Sequence, residues 1–392
     1  MIGDLLAHLG GDAIVGIIAF QGVVLLIVLS NAVVLVRPPR DRRGGPQPLV
    51  SLLVPARDEA AGIRDCVRSL LAQTYPRLEI IVLDDRSQDD TRRILEEERA
   101  RDDRLVVLAG REPADGWTGK NWACHQLSLA ARGDVLLFTD ADTTFVAADA
   151  VDRIVAAQRA SRADLLSGLP RQLLGTLGET LVVPLFYWAF LSFTPLALGR
   201  LVRSPAFARA VGQLMAFRRD AYEAIGGHAA VRGSVVDDLD LARRVAGAGL
   251  ACRIMDATDI VHCRMYRSGR EAAAGFGKNL FAAFGYAILP YAFVWGWLAF
   301  VHLGPLALWV LHAALGERVP VAPTLLAITV TLSLAHWVCT YARLRLPLWP
   351  ALLYPLTLAA FLGVALRSFV DAMLRRATWK GRRVERPPTR WL

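Results

Sequence analysis

The sequence predicts a Rossmann-like α/β domain carried on transmembrane α-helices. Three observations predict it: apolar strand-like runs alternate with helical stretches between residues 49 and 142, several of those runs end in carboxylates, and long uncharged segments stand at both ends of the chain. The 392 residues are 54% hydrophobic, with a mean hydropathy of +0.36. That leaves room for one soluble domain and several spans, and is too apolar for a purely soluble protein.

Residues 13–36 carry no charge and are long enough to cross a bilayer. The run lacks the basic start of a signal peptide, and Arg37-Pro38-Pro39-Arg40-Asp41-Arg42-Arg43 replaces a small-residue cleavage pattern, so it reads as an uncleaved anchor. Its basic flank predicts that the following domain is cytoplasmic. Residues 49–54, 78–83, 105–108 and 135–139 then read as strands of a parallel sheet. Between the first two, Ile63, Val67, Leu70 and Leu71 recur at helical spacing, and Asp89-Asp90-Thr91 opens a second helix with negative charge at its amino terminus.

The expected organisation is an anchor and basic flank over 1–46, an α/β domain over 47–280, carboxyl-terminal membrane helices over 281–370 and a basic tail over 371–392. Spans are expected within 287–315, 319–341 and 346–366. Three crossings would send the tail outside, whereas its Arg367, Arg375, Arg376, Lys380, Arg382, Arg383, Arg386 and Arg390 predict an inside location. One segment should therefore fail to cross fully, broken at Pro347, Pro350 and Pro355 or at Pro290 and Pro305.

A further uncharged run, within about 177–202, contains Pro184, Pro195 and several aromatics. A single crossing there would put Asp142 and Asp238 on opposite sides, so it is expected to lie in the interface or re-enter. A plain core segment is the alternative. The net charge of +9 (45 basic minus 36 acidic residues) is read as contact with anionic lipid, not nucleic acid. Cysteines 66, 124, 252, 263 and 339 form no C-x-x-C pair and are expected to be free thiols.

Asp140-Ala141-Asp142 ends the strand at 135–139, where open α/β sheets place their ligands. Two carboxylates so spaced can hold Mg²⁺ or Mn²⁺ with phosphate oxygens completing its shell; an Asp-rich turn is the bland alternative. Asp237-Asp238 precede the helical pattern Leu239, Leu241, Ala242, Val245, where acidic residues also favour a helix start.

Taken in order, Val54-Pro55-Ala56-Arg57-Asp58-Glu59, Leu83-Asp84-Asp85-Arg86-Ser87, Gly119-Lys120-Asn121-Trp122-Ala123, Asp140-Ala141-Asp142 and Val236-Asp237-Asp238-Leu239 resemble the motifs of family 2 glycosyltransferases of GT-A fold. The likeness covers roughly residues 48 to 271. Within that family, Gly116 to Ala123, Met265-Tyr266-Arg267-Ser268, Gly275-Phe276, Lys278-Asn279 and Thr378-Trp379-Lys380-Gly381-Arg382 are most similar to membrane enzymes that glycosylate carotenoids and other polyisoprenoid lipids. Arg267-Ser268-Gly269-Arg270-Glu271 keeps two arginines but lacks the Trp of processive synthases, which argues against polymer extrusion.

The resemblance implies inverting, metal-dependent transfer of a sugar, with glucose from UDP-glucose the expected donor, to a membrane lipid at the inner membrane. Polyprenyl phosphate, hopanoid and ceramide-type acceptors, a polysaccharide synthase and a non-catalytic scaffold are the rivals. Asp238 would be the base. Asp142, with Asp140, would hold the metal, and Pro55, Arg57, Glu59, Asp84, Asp85, Lys120 and Asp237 would line the donor site. Gly226-Gly227 resembles an acceptor-side glycine turn, and His262, Arg267 and Arg270 would meet diphosphate or acceptor. No oligomeric state is implied.

Overall fold

The computed structural model describes residues 2–39, 47–315, 321–374, 378–379, 382–383 and 388–392. Arg40 to Arg43 of the basic flank, and the side chains of the tail from Arg375 to Arg386, lie outside the described residues. Helix α1 (Ile2–Val34) leads into β1 (Val50–Ala56), α2 (Ile63–Leu71), β2 (Leu78–Asp84), α3 (Thr91–Arg99), β3 (Leu105–Ala109), α4 (Gly119–Ala130) and β4 (Val135–Thr139). These strands are apolar and mostly buried, as a sheet covered on both faces requires. β1 pairs in parallel with β2 and β4, and β2 with β3, as the sequence predicts.

The second half departs from a simple parallel winding. It comprises β5 (Thr143–Phe145), α5 (Ala150–Ala160), β6 (Leu165–Leu169), β7 (Arg171–Gln172), α6 (Leu177–Phe193), α7 (Leu196–Leu201), β8 (Leu214–Arg218), α8 (Arg219–Ala224), α9 (Asp237–Gly247), β9 (Cys252–Asp256) and β10 (Val261–Cys263). The main sheet runs β3-β2-β1-β4-β8-β6-β9, with β8 antiparallel to both neighbours. After β6 the chain makes its α6–α7 excursion and returns to the same edge, so β8 must run back. A small sheet, β5-β10-β7, stands beside that edge.

The remaining helices are α10 (Gly269–Ala283), α11 (Ile288–Leu315), α12 (Pro323–Arg343) and α13 (Tyr354–Met373). Four helical stretches are long and apolar enough to cross a membrane: Gly11–Val34, Ile288–Ala314, Pro323–Arg343 and Trp349–Met373. Of these, α1, α11 and α12 pack as a bundle, with Gln21 donating to Ser333 Oγ (2.8 Å) and to the Val301 carbonyl (3.2 Å). At the α/β end Arg343 pairs with Asp256 and donates to the Ala32 carbonyl (3.0 Å), while Val36 bridges to Met255 beside β9.

α13 differs from the other three. Its first residue, Tyr354, packs near Trp337 in the later turns of α12, and Tyr291 at the start of α11 donates to the Ala365 carbonyl (2.8 Å). The first turn and the middle of α13 thus pack against the later turns of α12 and the start of α11. Arg390 returns there as well, its amide donating to the Tyr286 carbonyl (3.1 Å).

α6 also leaves the α/β domain and re-enters it, from β7 to β8. It is not spread on a surface: Tyr187, Trp188 and Leu191 are fully buried, Trp188 stacks on Trp337 (4.8 Å), and α1, α10, α12 and α13 enclose it. Asn31 Nδ2 donates to the Leu191 and Thr194 carbonyls (2.7 Å each), fixing its end to α1.

Candidate active site

All five residues of β4 are buried, so the polar residues that follow emerge at the sheet edge. Thr143 closes the turn there, donating to the Asp140 carbonyl from its amide (3.2 Å) and its hydroxyl (2.7 Å). β5 then pairs with β10, which brings the Arg264 amide to the Asp142 carbonyl (3.1 Å) and the Cys263 thiol to Asp142 Oδ1 (3.4 Å). Asp140 instead meets Lys120 Nζ at 2.8 Å. Lys120 sits in the first turn of α4, capped by the Thr118 hydroxyl, which accepts from the Asn121 amide (3.3 Å).

Burial, then repulsion from Asp140 and Glu59, pushes the Asp142 carboxyl above the usual carboxylate range. Burial alone would lower the Lys120 ammonium, but Asp140 and then Asp237 outweigh it and hold Lys120 charged, well above its ordinary value. Crowded hard-oxygen donors of this kind fit a divalent cation. Among the described residues no group of three or more His, Cys, Asp or Glu side chains forms a closed cage. Asp140 and Asp142 therefore suit a cation whose shell is completed by diphosphate and water.

On the opposite wall α9 begins at Asp237, one residue before Asp238. Asp238 Oδ1 accepts from the Leu239 amide (2.7 Å) and Oδ2 from the Gly212 amide (2.9 Å). Burial, then Asp237, pushes Asp238 up to about 6. A Cβ at Gly212 would come within 3.1 Å of Lys120 Nζ, so a side chain there would press on the lysine.

The loop after β1 is stitched to the loop after β2. Arg57 Nη1 donates to the Asp85 carbonyl (2.8 Å), Ser87 Oγ receives the Asp58 amide (3.0 Å), and the Glu59 amide donates to Thr91 Oγ1 (2.7 Å). Asp58 is left-handed, with φ +50°, a conformation that Asp and Asn tolerate better than other side chains.

These elements enclose a cavity of about 1180 Å³. Pro55, Arg57, Glu59, Asp85, Lys120, Asp140, Asp142, Asp237, Asp238, His262 and Arg267 all line it. His262 lies on β10, where burial lowers its pKa, and Arg267 reaches the rim with Nη2 on the Ala61 carbonyl (2.8 Å).

Four expected residues do not reach the cavity. Asp84 turns back to accept from the Ser87 amide (3.3 Å), and Arg270 is exposed on α10. Gly226 and Gly227 have φ of +79° and +50°, and a Cβ on Gly227 would meet the Tyr222 ring at 2.4 Å. The turn is there to pack Tyr222 and His228, not to admit an acceptor. Tyr222 Oη accepts from the His228 amide (3.0 Å) and shares a second hydrogen bond with Nδ1 (2.7 Å), while Nε2 lies 3.9 Å from Asp237 Oδ2. Gly227→Ala is expected to cost about 2 kcal/mol or more from overpacking and left-handed strain, read as a lowered thermal midpoint in detergent; an unchanged midpoint would refute this account of the turn.

Some site residues were not foreseen. Asn121 donates to the carbonyls of Val231 (2.7 Å) and Ser234 (3.0 Å), holding the approach to Asp237. Its place in the Gly119-Lys120 motif was visible, but its reach was not. Gly212 and Cys263 carry no local signal, since strand pairing alone brings them in.

Away from the carboxylates the cavity becomes apolar. Phe186, Ala189, Phe190 and Phe193 of α6 and Phe276 of α10 line it, and it extends to Phe20 of α1 and Trp297 of α11, whose rings meet at 5.4 Å. Trp297 is nine residues, or about 13 Å along the helix, from the start of α11.

Comparison with known proteins agrees with this geometry. Residues 51–226 match the model for "Glycosyl transferase family 2". A 4,4'-diaponeurosporenoate glycosyltransferase of Staphylococcus aureus (strain USA300) is 27% identical over 241 residues, which span 59% of this chain and 60% of that protein's length. The solved structure of a mannosyltransferase from Pyrobaculum calidifontis, in complex with GDP-Man and Mn²⁺, superposes with a TM-score of 0.56 at 20% identity, covering 92% of this chain and 97% of that one. These matches agree with the strand order and acidic cleft above: residues 51–226 are similar to family 2 glycosyl transferases, and the chain shares the fold of the solved mannosyltransferase.

Proposed function

We propose that this protein transfers a sugar, glucose from UDP-glucose in the first instance, to the polar end of a long apolar membrane lipid such as a carotenoid or another polyisoprenoid. The observation that carries this reading is the single cavity that joins Asp85, Asp140, Asp142 and Asp238 to an aromatic groove reaching between α1 and α11. The diaponeurosporenoate acceptor in the relative's name supports it. Cytoplasmic placement of the α/β domain in the inner membrane would give it nucleotide sugar directly.

Asp85, Glu59 and Arg57 would hold the nucleoside, and Lys120 would face the diphosphate. Asp142, assisted by Asp140, would hold Mg²⁺ or Mn²⁺, which when bound offsets charge on the leaving diphosphate. Asp238 would take the acceptor proton as oxygen attacks the anomeric carbon in line. Gly212 and Leu239 amides fix its carboxylate for that role, and Lys120 stands close enough to favour its charged form.

The test is to incubate membranes containing the protein with labelled UDP-glucose or GDP-mannose and polyisoprenoid alcohols or acids. A labelled, organic-extractable product one hexose heavier than the acceptor is expected. No such product with any donor and acceptor pair would defeat the proposal. Phe186→Ala with Phe190→Ala is expected to raise the acceptor KM several-fold while donor affinity stays unchanged; an unchanged acceptor KM would remove α6 from the acceptor groove.

A further inference from the structure

A second charged feature lies outside the cleft, where α1 leaves the bundle. Arg200, Arg203, Arg209 and Arg253 surround a shallow pocket floored by Val34 and Leu196. Among the described residues none of the four has a carboxylate within ion-pair distance. The nearby acids are engaged elsewhere: Asp164 with Arg218 (3.4 Å) and Asp240 with Arg243 (3.3 Å). Burial, then Arg200, lowers the pKa of Arg253, the opposing pull of Asp164 being smaller.

Each guanidinium is nevertheless held in place. Arg203 donates to the Gly249 carbonyl (2.8 Å), Arg209 to the Ala208 carbonyl (2.8 Å), Arg253 to the Cys252 carbonyl (2.9 Å) and Arg200 to the Val34 carbonyl. In every case one terminal nitrogen is engaged, and the rest of the fork has no protein partner among the described residues. Oriented, uncompensated forks match the oxygens of a phosphate.

Their depth identifies the source of that phosphate. The apolar stretch of α1, Gly11–Val34, is 24 residues, or about 36 Å, slightly more than a hydrocarbon core. Val34 therefore marks the boundary, and Arg200, bonded to its carbonyl, lies at headgroup level. Beside it Leu198, Leu201 and Val202 are exposed by 44%, 81% and 51%. Exposed leucines alternating with arginines suit a segment dipping into an interface.

We propose that this cluster binds the headgroup phosphate of an anionic glycerophospholipid and so seats the α/β domain against the membrane beside α1. Of the four arginines only Arg209 also lines the cavity of the acidic cleft, and the test, made on Arg200 and Arg203, does not depend on the glycosyl-transfer reading.

The full chain, purified in nonionic detergent, would be titrated with phosphatidylglycerol, phosphatidylcholine or sodium phosphate. Bound lipid would be counted by native mass spectrometry and thermal midpoint followed in parallel. Phosphatidylglycerol should bind and raise the midpoint, with phosphatidylcholine and inorganic phosphate weaker by about tenfold or more. Arg200→Gln with Arg203→Gln should lower phosphatidylglycerol affinity by about tenfold or more, while Arg367→Gln on α13 should not. Arg203→Gln alone leaves the Arg200 contact with α1 intact and should still weaken binding, which guards against a folding defect. Equal binding of phosphatidylcholine, full competition by inorganic phosphate, or unchanged affinity in both arginine variants would each overturn the proposal.

Discussion

Asp238→Asn is expected to bind nucleotide sugar normally and to lose transfer to a hydroxyl acceptor by about a hundredfold or more, the usual cost of removing a positioned base. The substitution keeps shape and volume, but Asn offers one acceptor oxygen where Asp238 accepts from both Leu239 and Gly212, so unchanged nucleotide-sugar binding is the control that separates loss of the base from a displaced side chain. Because Asp238 is pushed up to about 6, and a base works only when deprotonated, kcat/KM should rise with pH through about 6 and then level off. In Asp238→Asn that rise should vanish. Near-normal turnover in this variant with Asp237→Asn inactive would move the role to Asp237.

Acceptor chemistry sharpens the experiment. A carboxylic acid acceptor is already ionised at neutral pH and has no proton to give up, so Asp238→Asn should slow it far less than it slows an alcohol. The ratio of the two losses therefore reports which kind of oxygen the enzyme normally serves.

Asp142→Asn should abolish metal-supported donor binding, whereas Asp140→Asn should weaken it less. The difference follows from the pairing: Asp140 already meets Lys120 at 2.8 Å, while among the described residues the Asp142 carboxylate has only the weak Cys263 thiol contact at 3.4 Å. Groups that merely support a ligand are worth about 10–100-fold in metal affinity, so a directly ligating carboxylate should cost at least that much. Calorimetry of UDP-glucose with Mn²⁺, before and after chelation, is the measurement. Wild-type-like donor binding in Asp142→Asn, or turnover indifferent to chelator, would sink the assignment.

The part of the fold that sequence revealed is the part built from local pattern. The runs forming β1 to β4 are apolar, and β2 and β4 lead into Asp84-Asp85 and Asp140-Ala141-Asp142, so both the strands and their functional edge could be read directly. β8 could not, because Leu214–Arg218 pairs with β4 and β6 across long separations and reverses the sheet direction after an excursion that no local signal describes. Gly226-Gly227 was legible as a turn, but its purpose depends on Tyr222 and His228 arriving behind it. Positive charge in the tail set three crossings against an inside location, a conflict that no local signal in the sequence decides.

The ties between Arg343 and Asp256 and between Val36 and Met255 hold the acidic cleft at one fixed end of the helices. Under the proposed function this makes the reaction sided. A lipid must arrive head first, and once a hexose is attached that end is too hydrophilic to retreat past Phe20 and Trp297 toward the bilayer centre. The product can leave only by sliding back tail-outward into the leaflet that faces the donor. One sugar is added per visit, and glycolipid accumulates asymmetrically, so its appearance on the other leaflet would require a separate flipping step.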